Sequence, residues 1–180
     1  MKPETVLVSM GSNLGDRVGH LRFAVAALAT RPGLEIVAVS PLFETEAWGG
    51  PEGQGAYLNG AVALRCTLEP RELLDLLQDL ERRRGRERGE RNGPRTLDLD
   101  ILIFGERRLR EPALGVPHPR MLDRAFVLAP AAAVAPDLRH PEAGRTLSEL
   151  AARVGWEGIL GEVAPADWWQ APRPVENPAS

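Results

Sequence analysis

The chain has 180 residues, with 22 Lys+Arg against 25 Asp+Glu and a net charge of −3. That length fits one domain burying about 70% of its unfolded surface, and 43% hydrophobic with 26% charged residues fits a globular protein rather than a disordered or membrane-embedded one. The single Cys66 excludes a disulfide scaffold and a cysteine-rich zinc site.

Thr5–Met10 (TVLVSM) is apolar and β-branched and stops at Gly11-Ser12-Asn13, which predicts a first strand. Leu14, Val18, Leu21, Val25 and Leu28 recur at helical spacing and end near Arg31-Pro32-Gly33, predicting an amphipathic helix that Asp16 or Asn13 is placed to cap. Leu34–Phe43 predicts a second strand, with Pro41 marking an edge or a bend. Gly49 to Gly55 is too glycine-rich for regular structure and reads as a mobile loop. Tyr57–Thr67 is a third strand, and Pro70 opens a helix whose Leu73, Leu74, Leu76, Leu77 and Leu80 face a core. A second mobile loop, broken by Gly85, Gly89, Gly93 and Pro94, leads into a fourth strand at Thr96–Phe104. Beyond it come an irregular stretch at Pro117–Pro119, a short apolar helix over Phe126–Ala135, and a capping box at Thr146–Glu149 that opens a last helix. Residues 1–163 are expected to form one domain and 164–180 a Pro-rich tail, whose Trp168-Trp169 pair is able to pack back on it. Two successive strand-helix-strand units predict an α+β, ferredoxin-like α/β sandwich: a mainly antiparallel sheet with flanking helices and mobile loops. No charged-then-apolar leader opens the chain and no apolar run approaches the ~20 residues of a membrane span, so a cytoplasmic protein with no membrane partner is expected.

The charge is unevenly held. Residues 82–95 (RRRGRERGERNGPR) contain seven Arg and two Glu, a local +5, so the remainder carries −8 for the total of −3. An anionic partner is implied. Lys2 is the one lysine, which excludes a P-loop lysine, a kinase strand lysine and a Schiff base. On the fourth strand Asp98 and Asp100 share a face, their α-carbons roughly 7 Å apart. Two carboxylates at about 6 Å repel by roughly 3 kcal/mol at an effective dielectric near 20. Either they lie on a solvated face neutralised by Arg95, or they bind divalent cations that clamp a phosphorylated substrate. A dipole-complementing helix end accounts for Arg82 to Arg84 but not for Arg88, Arg91 and Arg95, which lie beyond it. An arginine-rich loop running directly into a carboxylate pair is the combination phosphoryl transfer uses.

Gly93-Pro94-Arg95-Thr96-Leu97-Asp98-Leu99-Asp100-Ile101 resembles the signature of the 6-hydroxymethyl-7,8-dihydropterin pyrophosphokinase family of folate biosynthesis. The resemblance extends to Gly11-Ser12-Asn13-Leu14-Gly15-Asp16, Tyr57-Leu58-Asn59 and Val116-Pro117-His118-Pro119, and covers roughly residues 5–150 in the family's order. It implies ATP-dependent pyrophosphoryl transfer to the pterin hydroxymethyl oxygen with release of AMP. Asp98 and Asp100 match the ligands of two magnesium ions, and Arg86 and Arg95 the loop arginines that stabilise the phosphates. Gln78, Glu81, Arg88, Ile101, His118 and Arg124 fall at positions lining the family's ATP site. Tyr57 and Phe126 match the aromatic walls of a pterin slot, with Asn59 and the backbone near Thr45 and Trp48 reading its edge. Without the resemblance, Tyr57 and Phe126 read as core residues. A monomer is expected.

The chain departs from the family pattern at Asn92, where many members have an aromatic residue, and at Pro119, where many have Tyr. Ala113 and Gly115 replace a basic and a hydroxyl residue able to contact ATP, so the departures bear on lid closure and nucleotide affinity. An RNA-binding module would need aromatic residues on central strands, yet the chain has nine aromatics in all and places Asp98 and Asp100 there instead. A metal-dependent nucleotidyltransferase would release pyrophosphate, not AMP. Neither nucleic acid nor membrane is an expected partner.

Overall fold

A computed structural model describes residues 2–86 and 93–170. The elements are β1 (Glu4–Ser12), α1 (Arg17–Thr30), β2 (Leu34–Val39), β3 (Leu42–Thr45), β4 (Tyr57–Cys66), α2 (Pro70–Arg83) and β5 (Asp98–Phe104). A hairpin of β6 (Leu109–Glu111) and β7 (Leu114–Val116), a 3-10 turn at Met121–Asp123, α3 (Ala125–Val134), α4 (Leu147–Val154) and β8 (Ile159–Ala164) follow. The main sheet runs β5-β1-β4-β3-β8, with β2 alongside β4 in continuation of β3. Its pairings are all antiparallel. This is the expected α+β sandwich.

Differences from the expected elements have local causes. Asp16 caps α1 by accepting the Gly19 N–H at 2.9 Å, so the helix starts at Arg17 and Leu14 stays outside it, 42% exposed. The predicted second strand is two, because Pro41 has no N–H to continue the ladder. The fourth starts two residues late, at Asp98. At α2, Glu69 and Glu72 form a reciprocal capping box around Pro70, and Thr146 and Glu149 do the same for α4.

β1 is buried on both faces, so its sequence reads as a continuous apolar run rather than an alternating one. Val6, Val8 and Met10 join Leu21, Val25 and Leu28 of α1 and Leu73, Leu77 and Leu80 of α2 in one core. Leu7 joins Leu102, Val127, Leu128 and Leu147 in a second core, under α3 and α4. Each fully buried Leu or Val contributes roughly 1.5–3 kcal/mol. Cys66 lies in the first core. No helix among the described residues is long and apolar enough to cross a membrane.

The second core fills only part of its sheet face. Along the strands from it, cross-strand partners put Phe43, Asn59, Gly11 and Asp98 in one row, with Thr45 opposite Tyr57 and Ser9 opposite Asp100. Partners across antiparallel strands share a face. Polar side chains here replace the apolar ones of the core, and the row contains a glycine at its centre.

Candidate active site

A cavity of about 140 Å³ opens over this row, lined by Thr45, Glu46, Trp48, Tyr57, Asn59, Arg95, Asp98, Asp100, Arg120, Arg124 and Phe126. A smaller hollow of about 30 Å³ continues it past Gly11 and Asp100 to His118. β5 supplies the acidic pair. The period of two places Asp98 and Asp100 toward the cavity, while the Leu99 and Ile101 side chains enter the core beneath α1 and α2.

Cations meet Asp98 from two directions. Its Oδ1 receives Arg95 Nη1 at 2.7 Å and Arg86 Nη2 at 3.0 Å. Arg86 also pairs with Glu81, whose Oε1 accepts the Leu99 backbone N–H at 2.7 Å, so the end of α2 is fastened to β5 between the two aspartates. Burial pushes the Glu81 carboxyl up. Asp100 is pushed up to about 7, first by burial and then by the charge of Asp98 beside it. Neither arginine ends on Asp100, so among the described residues the ion pairs reach Asp98 and not Asp100.

The opposite end of the cavity is aromatic and amide-lined. Asn59 Nδ2 donates to Thr45 Oγ1 at 2.6 Å. Asn59 Oδ1 lies against Gly11, where a methyl group would come within 2.9 Å of it. The Tyr57 hydroxyl donates to Gly93 O at 3.1 Å. Trp48 and Phe126 approach with ring centroids 6.3 Å apart. The Arg124 guanidinium lies 4.9 Å from the Trp48 centroid and 5.6 Å from that of Phe126. Its Nε is buried without a hydrogen-bond partner among the described residues, a donor inside the cavity wall.

His118 is held by its backbone N–H on Leu102 O at 2.8 Å, and its Nδ1 accepts the Arg120 N–H at 3.2 Å. Burial, then Arg124 and Arg120, push it down to about 4, so the ring is neutral near pH 7 and Nε2 holds its proton as a donor.

Of the residues singled out from sequence, Arg95, Asp98, Asp100, Arg124, Thr45, Trp48, Tyr57, Asn59 and Phe126 line the cavity, and His118 the hollow beside it. Arg86 and Glu81 reach it through Asp98 and Leu99. Gln78 and Ile101 do not line it, and Arg88 and Asn92 lie outside the described residues. Gly115 and Pro119 pack together: a methyl group at Gly115 would meet the Pro119 ring at 3.3 Å.

Four further residues belong to the site. Gly11 is its floor, and Glu46 and Arg120 line it. Asn13 caps no helix; it ties two loops together instead. Its Oδ1 accepts the Arg95 N–H at 2.8 Å, its own N–H bonds Arg95 O at 3.0 Å, and its Nδ2 donates to Gly55 O at 3.2 Å. Asn13 and Gly11 belong to the Gly11–Asp16 motif, but the contacts of Gly11 depend on strand pairing and those of Asn13 on two distant loops, and no local pattern encodes either.

A family model described as 7,8-dihydro-6-hydroxymethylpterin-pyrophosphokinase matches residues 7–136. The 2-amino-4-hydroxy-6-hydroxymethyldihydropteridine pyrophosphokinase of Pseudomonas aeruginosa is 49% identical over 156 residues, which cover 87% of this chain and 95% of that protein. A protein of the same name from Synechocystis sp. is 43% identical, over 82% of this chain and 75% of its own length. Among solved structures, an HPPK-DHPS crystallised with substrates matches at TM-score 0.68 and 12% identity, covering 85% of this chain and 43% of that one. A Plasmodium falciparum HPPK-DHPS triple mutant matches at TM-score 0.66 and 14% identity. These structural likenesses are of fold, and the chain spans less than half the length of either protein, 43% in both cases.

Proposed function

The chain belongs to the 7,8-dihydro-6-hydroxymethylpterin-pyrophosphokinase family, and from that premise we propose that it transfers pyrophosphate from ATP to the hydroxymethyl oxygen of 6-hydroxymethyl-7,8-dihydropterin in folate synthesis, releasing AMP. One observation supports this reading above the others. A single cavity has an acidic pair with arginine forks at one end and an aromatic, amide-lined slot at the other. A triphosphate needs the first and a flat heterocycle the second.

In this reading the pterin lies against Tyr57 and Phe126. Asn59 has committed an N–H to Thr45, which leaves Oδ1 to accept from the ring edge above Gly11. The triphosphate lies toward Asp98, with Arg124 Nε and His118 Nε2 as donors along the way. A bond forms from the hydroxymethyl oxygen to the β-phosphorus, and the bond from that phosphorus to the αβ-bridging oxygen breaks. AMP takes the electron pair, and the hydroxyl proton leaves to solvent. Arg86 and Arg95, already converging on Asp98, neutralise charge on the transferring group.

Asp98 and Asp100 fit the two magnesium ions of this proposal. Among the described residues no group of three or more His, Cys, Asp or Glu forms a protein cage for a metal. Two carboxylates suit magnesium, which completes its shell with water and substrate phosphates. When bound there, magnesium supplies charge neutralisation at phosphate oxygens and lowers the pKa of a coordinated hydroxyl.

With ATP, magnesium and the hydroxymethyl dihydropterin, the expected products are AMP and the pterin diphosphate in equal amounts. A chromatogram showing ADP or free pyrophosphate in place of AMP would sink the proposal. Gly11→Ala tests the pterin end. Its methyl group displaces the Asn59 amide, so KM for the pterin should rise about tenfold, one hydrogen bond's worth, while KM for ATP stays within about twofold. An equal rise in both constants would remove Asn59 from pterin recognition.

A further inference from the structure

β3 is a weak element to entrust with recognition. It has four residues, follows the Ser40-Pro41 break, and pairs with β8 through register shifts between Leu42 and Phe43 and between Glu44 and Thr45. Yet it ends on Thr45, the residue that orients Asn59. Ser40 is fully buried and meets the break with its own polar atoms: its N–H bonds Ala61 O at 2.9 Å, and its Oγ accepts the Ala61 N–H at 2.8 Å and donates to Pro41 O at 2.7 Å. Its carbonyl is left over. Trp168 Nε1 donates to that carbonyl at 2.9 Å, and the Trp168 side of the chain is fixed in turn by Arg22 Nη2 of α1 on Trp168 O at 2.9 Å. Trp168 is 7% exposed and part of the first core. Between these two points β8 runs along the outer edge of β3, pairing Ile159 with Thr45, and Gly158 O accepts the Glu46 N–H at 2.8 Å. The Trp156 ring approaches Phe43 at 6.1 Å.

We propose that residues 156–168, which lie beyond the 7–136 region matched by the family model, form a brace that positions the pterin-reading wall of the cavity, with Trp168 as its anchor. Trp168 is a positioning residue: it acts through Ser40 O on the direction of β3, through β3 on Thr45, and through Thr45 on the Asn59 amide. The inference rests on the pterin reading of the Asn59 end of the site.

Trp168→Phe in the full chain keeps an aromatic ring in the core and removes the Nε1–H donor. The expected result is a rise of about tenfold in KM for the pterin, the cost of one displaced hydrogen bond, with kcat and KM for ATP within about twofold. Amide hydrogen exchange over residues 40–46 should accelerate in the same variant, while exchange over α2 stays unchanged. Arg22→Gln, which loosens the other end of the anchor, should move both readouts in the same direction by less. A purely structural role lowers the melting temperature and leaves the two KM values alone, and that result would overturn the proposal. So would unchanged exchange over residues 40–46. If the wild-type protein forms no pterin diphosphate, the reaction itself is refuted, and the exchange measurement alone decides whether Trp168 holds β3.

Discussion

Asp98→Ala and Asp100→Ala should each lower turnover by at least about a thousandfold and leave the protein folded. Neither carboxylate contributes to the apolar cores, and Asp98 keeps a quarter of its side chain exposed, 26%. Losing Asp98 frees Arg86 and Arg95 from one shared oxygen, and Arg86 still has Glu81. Losing the Asp100 carboxylate should stabilise the metal-free protein. Its folded-state pKa is raised to about 7, by burial and then by Asp98, so the unfolded chain gives up that proton first. The associated stability is present in full below about pH 4 and is lost as pH rises through about 7. Asp100→Asn removes the penalty. With a chelator present, its melting temperature should exceed that of the wild type at pH 8 and match it near pH 4. Thermal scans at the two pH values check the electrostatics, and steady-state rates check the chemistry. Undiminished turnover in either alanine variant would place the metal site elsewhere.

Arg86→Ala and Arg95→Ala should reduce kcat by about a hundredfold to a thousandfold each, while KM for the pterin changes less than about threefold. Truncating Arg95 removes the guanidinium but not the loop's position. The backbone N–H and C=O of Arg95 remain bonded to Asn13 at 2.8 and 3.0 Å. The loss is therefore charge stabilisation, not folding of the loop. Lysine at either position restores the charge without the fork, so Arg→Lys should recover only part of the rate. Stopped-flow rates and equilibrium pterin titrations separate the two quantities. Weakened pterin affinity at an unchanged kcat would assign both arginines to ground-state binding.

The parts of the molecule that local chemistry encodes were legible in the chain. The Leu73, Leu77 and Leu80 stripe marks α2, the Thr146–Glu149 box marks α4, and the Asp98/Asp100 alternation marks one face of β5. Both the arginine loop and the acidic pair stood out by charge alone. Placing Tyr57 and Phe126 at the cavity needed the family resemblance, because an aromatic residue beside an apolar strand looks the same in a core and in a cavity wall.

Other parts depend on partners far away in sequence. β8 has no alternating pattern, since Leu160 and Val163 are exposed and Gly161 interrupts it, and it forms by pairing with β3 more than a hundred residues earlier. Trp168 is an ordinary aromatic residue until Ser40 O, 128 positions before it, is seen to need a donor. Gly11 looks like a turn glycine but lies in β1, where its missing side chain makes the hollow beside Asn59. The β8 and Gly11 cases follow from strand register and the Trp168 case from a side-chain contact between distant segments, and periodicity in a single segment reveals neither.

If the β-phosphorus is the atom attacked, a label placed on it must follow the transferred group. ATP labelled with ³²P at the β-position separates the possible reactions in one incubation with magnesium and the hydroxymethyl dihydropterin. Pyrophosphoryl transfer moves the label to the pterin and leaves AMP unlabelled, which is the predicted result. Label recovered as free pyrophosphate would mean nucleotidyl transfer, and label retained in ADP would mean simple γ-phosphoryl transfer; either contradicts the assignment.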